Sequence, residues 1–270
     1  MKNAIFTVLL LILAVPAAAA ETLKDISAEG SCAIVGMSAE QSQLIALQRA
    51  RAAAIEQAAG VSVTSATLVT NMQLAADIIK TYAKGFIVNE KVEWLPLGQY
   101  QKDSSTPPIP EYRVKIVVDV HVPKTKIKPM GLEAKTRGVL FRNGERAVVE
   151  IKSAREGKAA IFNITADDRV VMLFPNELEK NNLLIKGKEF TFPEKISKVE
   201  LILQPLPGHK RDAEAFFVVA MDTGYPREFL DLFTPAQPMS FSAFFQKYTE
   251  IAEFCEDVIL PYEIIEAGER

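Results

Sequence analysis

The stretch AAIFNITADDRVVMLFPN, residues 159–176, decides how the second half of this chain folds. Two apolar runs, at 159–165 and 170–174, flank Ala166-Asp167-Asp168-Arg169. Each run has strand length, and the second stops at Pro175. The adjacent carboxylates admit three readings: an acid–base pair, a cation loop or a hairpin turn. A general acid–base pair needs a partly buried site that splits the two pKa values, which neighbours on a solvated turn lack. A calcium loop needs more oxygen ligands at set spacing, and no D-x-D-x-D-G pattern is present. Aspartate tolerates left-handed backbone angles and bonds its own backbone, so a turn accounts for both residues. The stretch reads as a β-hairpin.

Outward from the hairpin, strand-sized runs recur at 147–152, 188–192, 198–203 and 215–221, separated by Asn-Asn, Pro and Pro-Gly turns. About seven strands in roughly ninety residues predict an immunoglobulin-like β-sandwich over residues 131–235. The segment 236–270 is read as a C-terminal amphipathic helix and tail. From Phe241, the residues Phe244, Phe245, Tyr248, Ala252 and Cys255 recur at three- and four-residue spacing, with Ser240 as a start signal. So aromatic a face must be covered, either by the sandwich or by a partner, which makes Phe244 and Tyr248 candidate binding residues.

On the other side, PKTKIKPMG (residues 123–131) reads as a linker, with a boundary near residue 130. Before it, residues 21–130 predict a β-α-α-β-β domain. A first strand over 28–36 leads into QSQLIALQRARAAAIEQAAG, a helix with Leu47, Ala50, Ala54 and Ala58 on one face and Gly60 as its stop. An alanine-lined face lets such a helix lie close to a sheet. A second helix is expected over 71–84, then extended runs at 86–97 and 112–122. In YRVKIVVDVHV, Val114, Ile116, Val118 and Val120 alternate with Lys115, Asp119 and His121, so one face is apolar. The whole is an α+β protein with helices on one face of a small antiparallel sheet.

Residues 1–20 carry Lys2, a short apolar core, Pro16 and the small residues Ala18 and Ala20, the pattern of a signal peptide cleaved before Glu21. The apolar core is shorter than the ~20 residues of a membrane span, so a periplasmic or secreted protein without a transmembrane segment is expected. The formal charge of −3, with acidic and basic residues interspersed, speaks against nucleic acid as a partner. Cys32 and Cys255 admit two readings in an exported protein: a disulfide, or two small buried apolar residues.

Catalytic and metal chemistry is not expected. His121 and His209 fall in different domains, and there is no G-x-S-x-G, H-E-x-x-H or glycine-rich phosphate loop. No cofactor is implied. One loop offers polar groups for binding: Phe174, Pro175 and Asn176, followed by Asn181 and Asn182, could meet a peptide or glycan. The same residues also fit a strand end and turn caps.

The succession Asn143-Gly144-Glu145, AAIFNITADDRVVMLFPN, NNLLIKGK (181–188), Phe192-Pro193 and VELILQPLPG (199–208) resembles the bacterial envelope module called domain of unknown function 4384, over about residues 136–225. Asp168 stands where that family usually has glycine. The resemblance implies a β-sandwich of exported proteins and carries no established activity. More weakly, Ala28-Glu29-Gly30, QLIALQRARAAAIEQAAG, Gly85-Phe86-Ile87-Val88 and YRVKIVVDVHV resemble the N-terminal domain of flagellar assembly protein T and related small envelope lipoproteins. The lipid-bearing members have a cysteine at the processing site, which this chain lacks. Together these readings lead to a non-catalytic scaffold or assembly protein of the bacterial envelope, acting by binding an envelope protein. The alternative is a periplasmic module for cell-wall glycan, such as peptidoglycan, or another small ligand.

Overall fold

The computed structural model describes residues 21–60, 85–124 and 127–266. The expected signal segment and the helix expected over 71–84 lie outside them. The architecture is mixed α+β and mostly strand, as expected.

The N-terminal part comprises β1 (Glu21–Ala33), α1 (Ala39–Ala59), β2 (Phe86–Tyr100) and β3 (Ile109–Val122). The strands form an antiparallel sheet in the order β1-β3-β2. Ser38 starts α1 with a capping box: its Oγ accepts the Gln41 amide at 3.2 Å, while Gln41 Oε1 accepts the Ser38 amide at 3.1 Å. Gly60, at φ 65°, ends the helix in the left-handed conformation. The alanine face does what its small size allows. Ala46, Ala50 and Ala54 are fully buried, and a Cβ added at Gly30 of β1 would meet the Ala46 carbonyl at 2.1 Å. Val114, Ile116, Val118 and Val120 of β3 are buried beneath this helix, as their alternation requires.

The C-terminal part adds β4 (Glu133–Thr136), β5 (Leu140–Arg142), β6 (Val149–Lys152), β7 (Gly157–Ile164), β8 (Arg169–Phe174), β9 (Leu183–Leu184), β10 (Glu189–Phe192), β11 (Arg211–Asp222), β12 (Met239–Ser240), α2 (Phe241–Tyr248) and β13 (Cys255–Ile265). One small sheet has the order β10-β6-β4; the large one runs β12-β8-β7-β11-β13-β5, with β9 beside β7. The expected hairpin is β7–β8, and Asp168 takes φ 63° in its turn. The stretch 198–203 makes only isolated backbone contacts, such as Arg146 with Ile202, and is not a regular strand.

The C-terminal expectation needs correction. The helix stops at Tyr248, and Ala252 and Cys255 belong to a short 3-10 turn and to the start of β13. β13 lies antiparallel along the whole of β11 and parallel to β5. Pro261 lies within it, where an interior strand would lose a ladder donor. However, the Glu263 amide points outward to the Val139 carbonyl, and residue 261 faces the same side, where β5 has not yet begun. The missing donor therefore costs no ladder bond.

Both faces of the large sheet are covered, which is why β11 is buried from residue 214 to 221 without alternation. Phe216, Val218 and Ala220 pack towards the small sheet with Val149, Ile151 and Phe192. Phe217, Val219 and Met221 point the other way, into a core shared with Ile55, Phe86 and Val118 of the N-terminal part. The wedge between the two parts is α2. Phe245 stacks on Phe86 at 5.1 Å and 12°, and Tyr248 meets Phe86 and Phe217 edge-on. Phe244 and Tyr248, expected as candidate partner-binding residues, are fully buried and belong to this core. Burying each such ring stabilises the fold by about 1.5–3 kcal/mol.

Candidate functional site

The loop singled out by sequence is occupied with its own structure. Phe174 is buried against Phe190 and Phe192, and Pro175 follows it through a cis peptide. Asn176 Oδ1 accepts the amides of Leu178 and Glu179, both at 2.9 Å, and its Nδ2 donates to the Leu173 carbonyl. Asn182 Nδ2 donates to the Ala159 carbonyl at 3.1 Å, and Asn181 Oδ1 accepts the Leu183 amide. These amides cap turns and join β7 to its neighbour. Cys32 and Cys255 are buried free thiols; the disulfide weighed from sequence is not formed. Burial pushes both thiols up, which suits small apolar residues.

Asp168 has a role beyond its turn. Arg51, only 3% exposed, reaches from α1 to hold two carboxylates. Its Nε and Nη2 donate to Glu90 of β2 at 2.7 and 2.6 Å. Its Nη1 and Nη2 donate to Asp168 at 2.5 and 2.9 Å, and its guanidinium lies 4.8 Å over the Phe241 ring. Burial raises the Asp168 carboxyl, and Arg51 opposes that shift. A planar guanidinium between two carboxylates is the geometry that only arginine supplies. The trio ties α1, β2 and the β7–β8 turn together, so it joins the two parts of the molecule. Sequence reasoning missed it; the one signal was a charged residue among the alanines of the buried helix face.

Two surface features stand out. The first is β2, which among the described residues has β3 as its sole strand neighbour. A register shift between Leu95 and Gly98 places Leu97 on the same face as Val92 and Trp94. Trp94 is 44% and Leu97 61% exposed, and Val92 is exposed beside them. Trp94 meets Tyr112 edge-on, which fixes the indole on the ribbon. The row continues the apolar face of β3 past the edge of α1. The second is a cleft of about 630 Å³ between the start of α1 and the end of the large sheet, lined among others by Leu44, Ile45, Ile164, Arg211 and Glu263. His209 Nδ1 lies 2.6 Å from Asp212 Oδ1 at its rim. Neither feature was singled out from sequence, because each depends on which neighbours are missing.

Among the described residues, no group of three His, Cys, Asp or Glu side chains is arranged to hold a metal ion, and no helix is long and apolar enough to cross a membrane. No curated protein matches the chain. A family model does, over β5 to the first residues of β11: residues 140–212 match the family described as Domain of unknown function (DUF4384).

Proposed function

We propose that this protein is an exported, non-catalytic scaffold or assembly component of the bacterial envelope that works by binding another protein. The observation that carries this reading is the exposed row Val92, Trp94 and Leu97 along β2, whose sole strand neighbour among the described residues is β3. An edge strand with an apolar flank can add an extended segment of a partner as a further strand. Trp94 supplies the kind of aromatic anchor on which such interfaces depend. This row replaces Phe244 and Tyr248 as the candidate surface. On the same reading residues 1–20 direct export to the periplasm, residues 21–130 are a flagellar-assembly-T-like domain, and residues 131–235 form an immunoglobulin-like sandwich. A glycan-binding module centred on residues 174–182 has less support, because the asparagine amides there bond their own turns.

The test is a cross-linking pull-down from intact cells, comparing wild type with Trp94→Asp/Leu97→Asp. An envelope protein captured by wild type and lost from the folded variant supports the proposal. If the variant instead loses more than about 2 kcal/mol of stability, the row is covered by the chain itself and the reading fails. Capture of the same protein by both forms also overturns it.

A further inference from the structure

The cleft at the start of α1 has a chemical character that goes beyond the proposed scaffold role. It exists because small residues line its floor: Ala213 sits opposite Glu263 in the β11–β13 register, and Ala166 closes the neighbouring strand end. The Gln41 side chain donates to the Arg211 carbonyl at 2.8 Å and fixes the helix against this end of the sheet. Glu263 lines the cleft and is 3% exposed, yet among the described residues its carboxylate accepts no hydrogen bond. Its nearest cation is Arg211 Nε, at 3.6 Å, which is beyond hydrogen-bond reach. That Nε–H is itself buried without an acceptor. Two opposite charges thus stand side by side without a hydrogen bond between them, next to an apolar wall of Leu44, Ile45 and Ile164.

The buried Glu263 carboxylate and the buried Arg211 Nε–H are incomplete in this state, since buried polar groups normally find partners, while the rest of the guanidinium opens to solvent at the cleft. A ligand carrying only a cation would satisfy Glu263 and be repelled by Arg211; one carrying only an anion meets the reverse problem. A free α-amino acid holds an ammonium and a carboxylate on one carbon, which matches two adjacent opposite charges. An aliphatic side chain would then lie against the leucine and isoleucine wall. The volume is within the roughly 300–1,000 Å³ typical of small-ligand sites, and junctions between domains are where such sites concentrate. We infer that this cleft binds a zwitterionic α-amino acid with an apolar side chain, its ammonium on Glu263 and its carboxylate on Arg211.

The test is isothermal titration calorimetry of the full protein with L-leucine at pH 7, using N-acetyl-leucine and leucine methyl ester as probes lacking one charge each. Saturable binding of leucine is expected, with each capped probe at least about tenfold weaker, since each loses one charge-assisted contact. Glu263→Gln should weaken leucine binding by at least about tenfold as well. Ala213→Leu, which fills the floor, should abolish it while circular dichroism stays unchanged. Absence of saturable binding overturns the inference. So does equal binding of leucine and N-acetyl-leucine, or binding that survives a folded Ala213→Leu variant. None of these results depends on whether the β2 row binds a protein.

Discussion

Replacing Arg51 by alanine is the sharpest probe of how the two parts of this protein are joined. Among the described residues, the guanidinium donates two charge-assisted hydrogen bonds to Glu90 and two to Asp168. Its loss leaves both carboxylates in place, and their surroundings set the cost. The Glu90 side chain is 8% exposed and so keeps almost no water; we assign it about 3 kcal/mol. Asp168, at 24%, can recruit solvent and adds about 1 kcal/mol. The expected total of about 4 kcal/mol agrees with the 3–5 kcal/mol typical of breaking a buried ion pair from one side. Urea unfolding should show the midpoint falling by roughly 1.5 M at an ordinary m-value, with m itself unchanged. The loss should also depend on pH in a defined direction. Burial already raises the Asp168 carboxyl and Arg51 opposes that shift, so without Arg51 stability is lost as pH rises through the folded Asp168 pKa and regained as it falls. The variant should lie closer to wild type at pH 5 than at pH 8. Adding Glu90→Gln and Asp168→Asn to the Arg51→Ala variant should recover more than half of the loss. A loss below about 1 kcal/mol, or one equal at both pH values, would refute the view that the trio is a tight buried lock.

Further expectations follow from the packing. Burial pushes the Asp257 carboxyl up to about 6, with the Tyr248 hydroxyl donating to it at 3.3 Å. A raised folded pKa means stability that declines as pH climbs from about 4 to above 6. Asp257→Asn keeps the acceptor and should stabilise the protein by on the order of 2 kcal/mol at pH 8, with little change at pH 4; equal effects at both pH values would count against this. Gly30→Ala should cost more than about 2 kcal/mol by thermal or urea melting, because the added methyl meets α1 backbone with no room to yield. A thiol reagent should label Cys32 and Cys255 slowly in the native protein and both at once in denaturant. Finding no reactive thiol after denaturation would mean a disulfide exists after all.

Several features that depend on near neighbours in the chain were legible in the sequence. The β7–β8 hairpin follows from two short apolar runs around an Asp-Asp turn, and Asp168 takes the left-handed angle that this residue type tolerates. The close seat of α1 follows from alanines at four-residue spacing, and β3 buries the face that its alternation presents. Such features depend on residues within a few positions of one another. What escaped depends on distant partners. Phe244 and Tyr248 form an apolar stripe whichever body covers it; only the tertiary structure shows it wedged between Phe86 and Phe217. The segment 255–265 carries a proline and no clean period, and becomes a strand because β11 offers a full antiparallel edge while β5 begins just past Pro261. Arg51 looks like one more surface charge until β2 and the β7–β8 turn bring Glu90 and Asp168 to it. Periodicity in the sequence thus determined which faces must be buried, since the hydrophobic effect is indifferent to the identity of the covering surface. The fold alone decided what covers them, because chain topology and close packing set which distant elements meet.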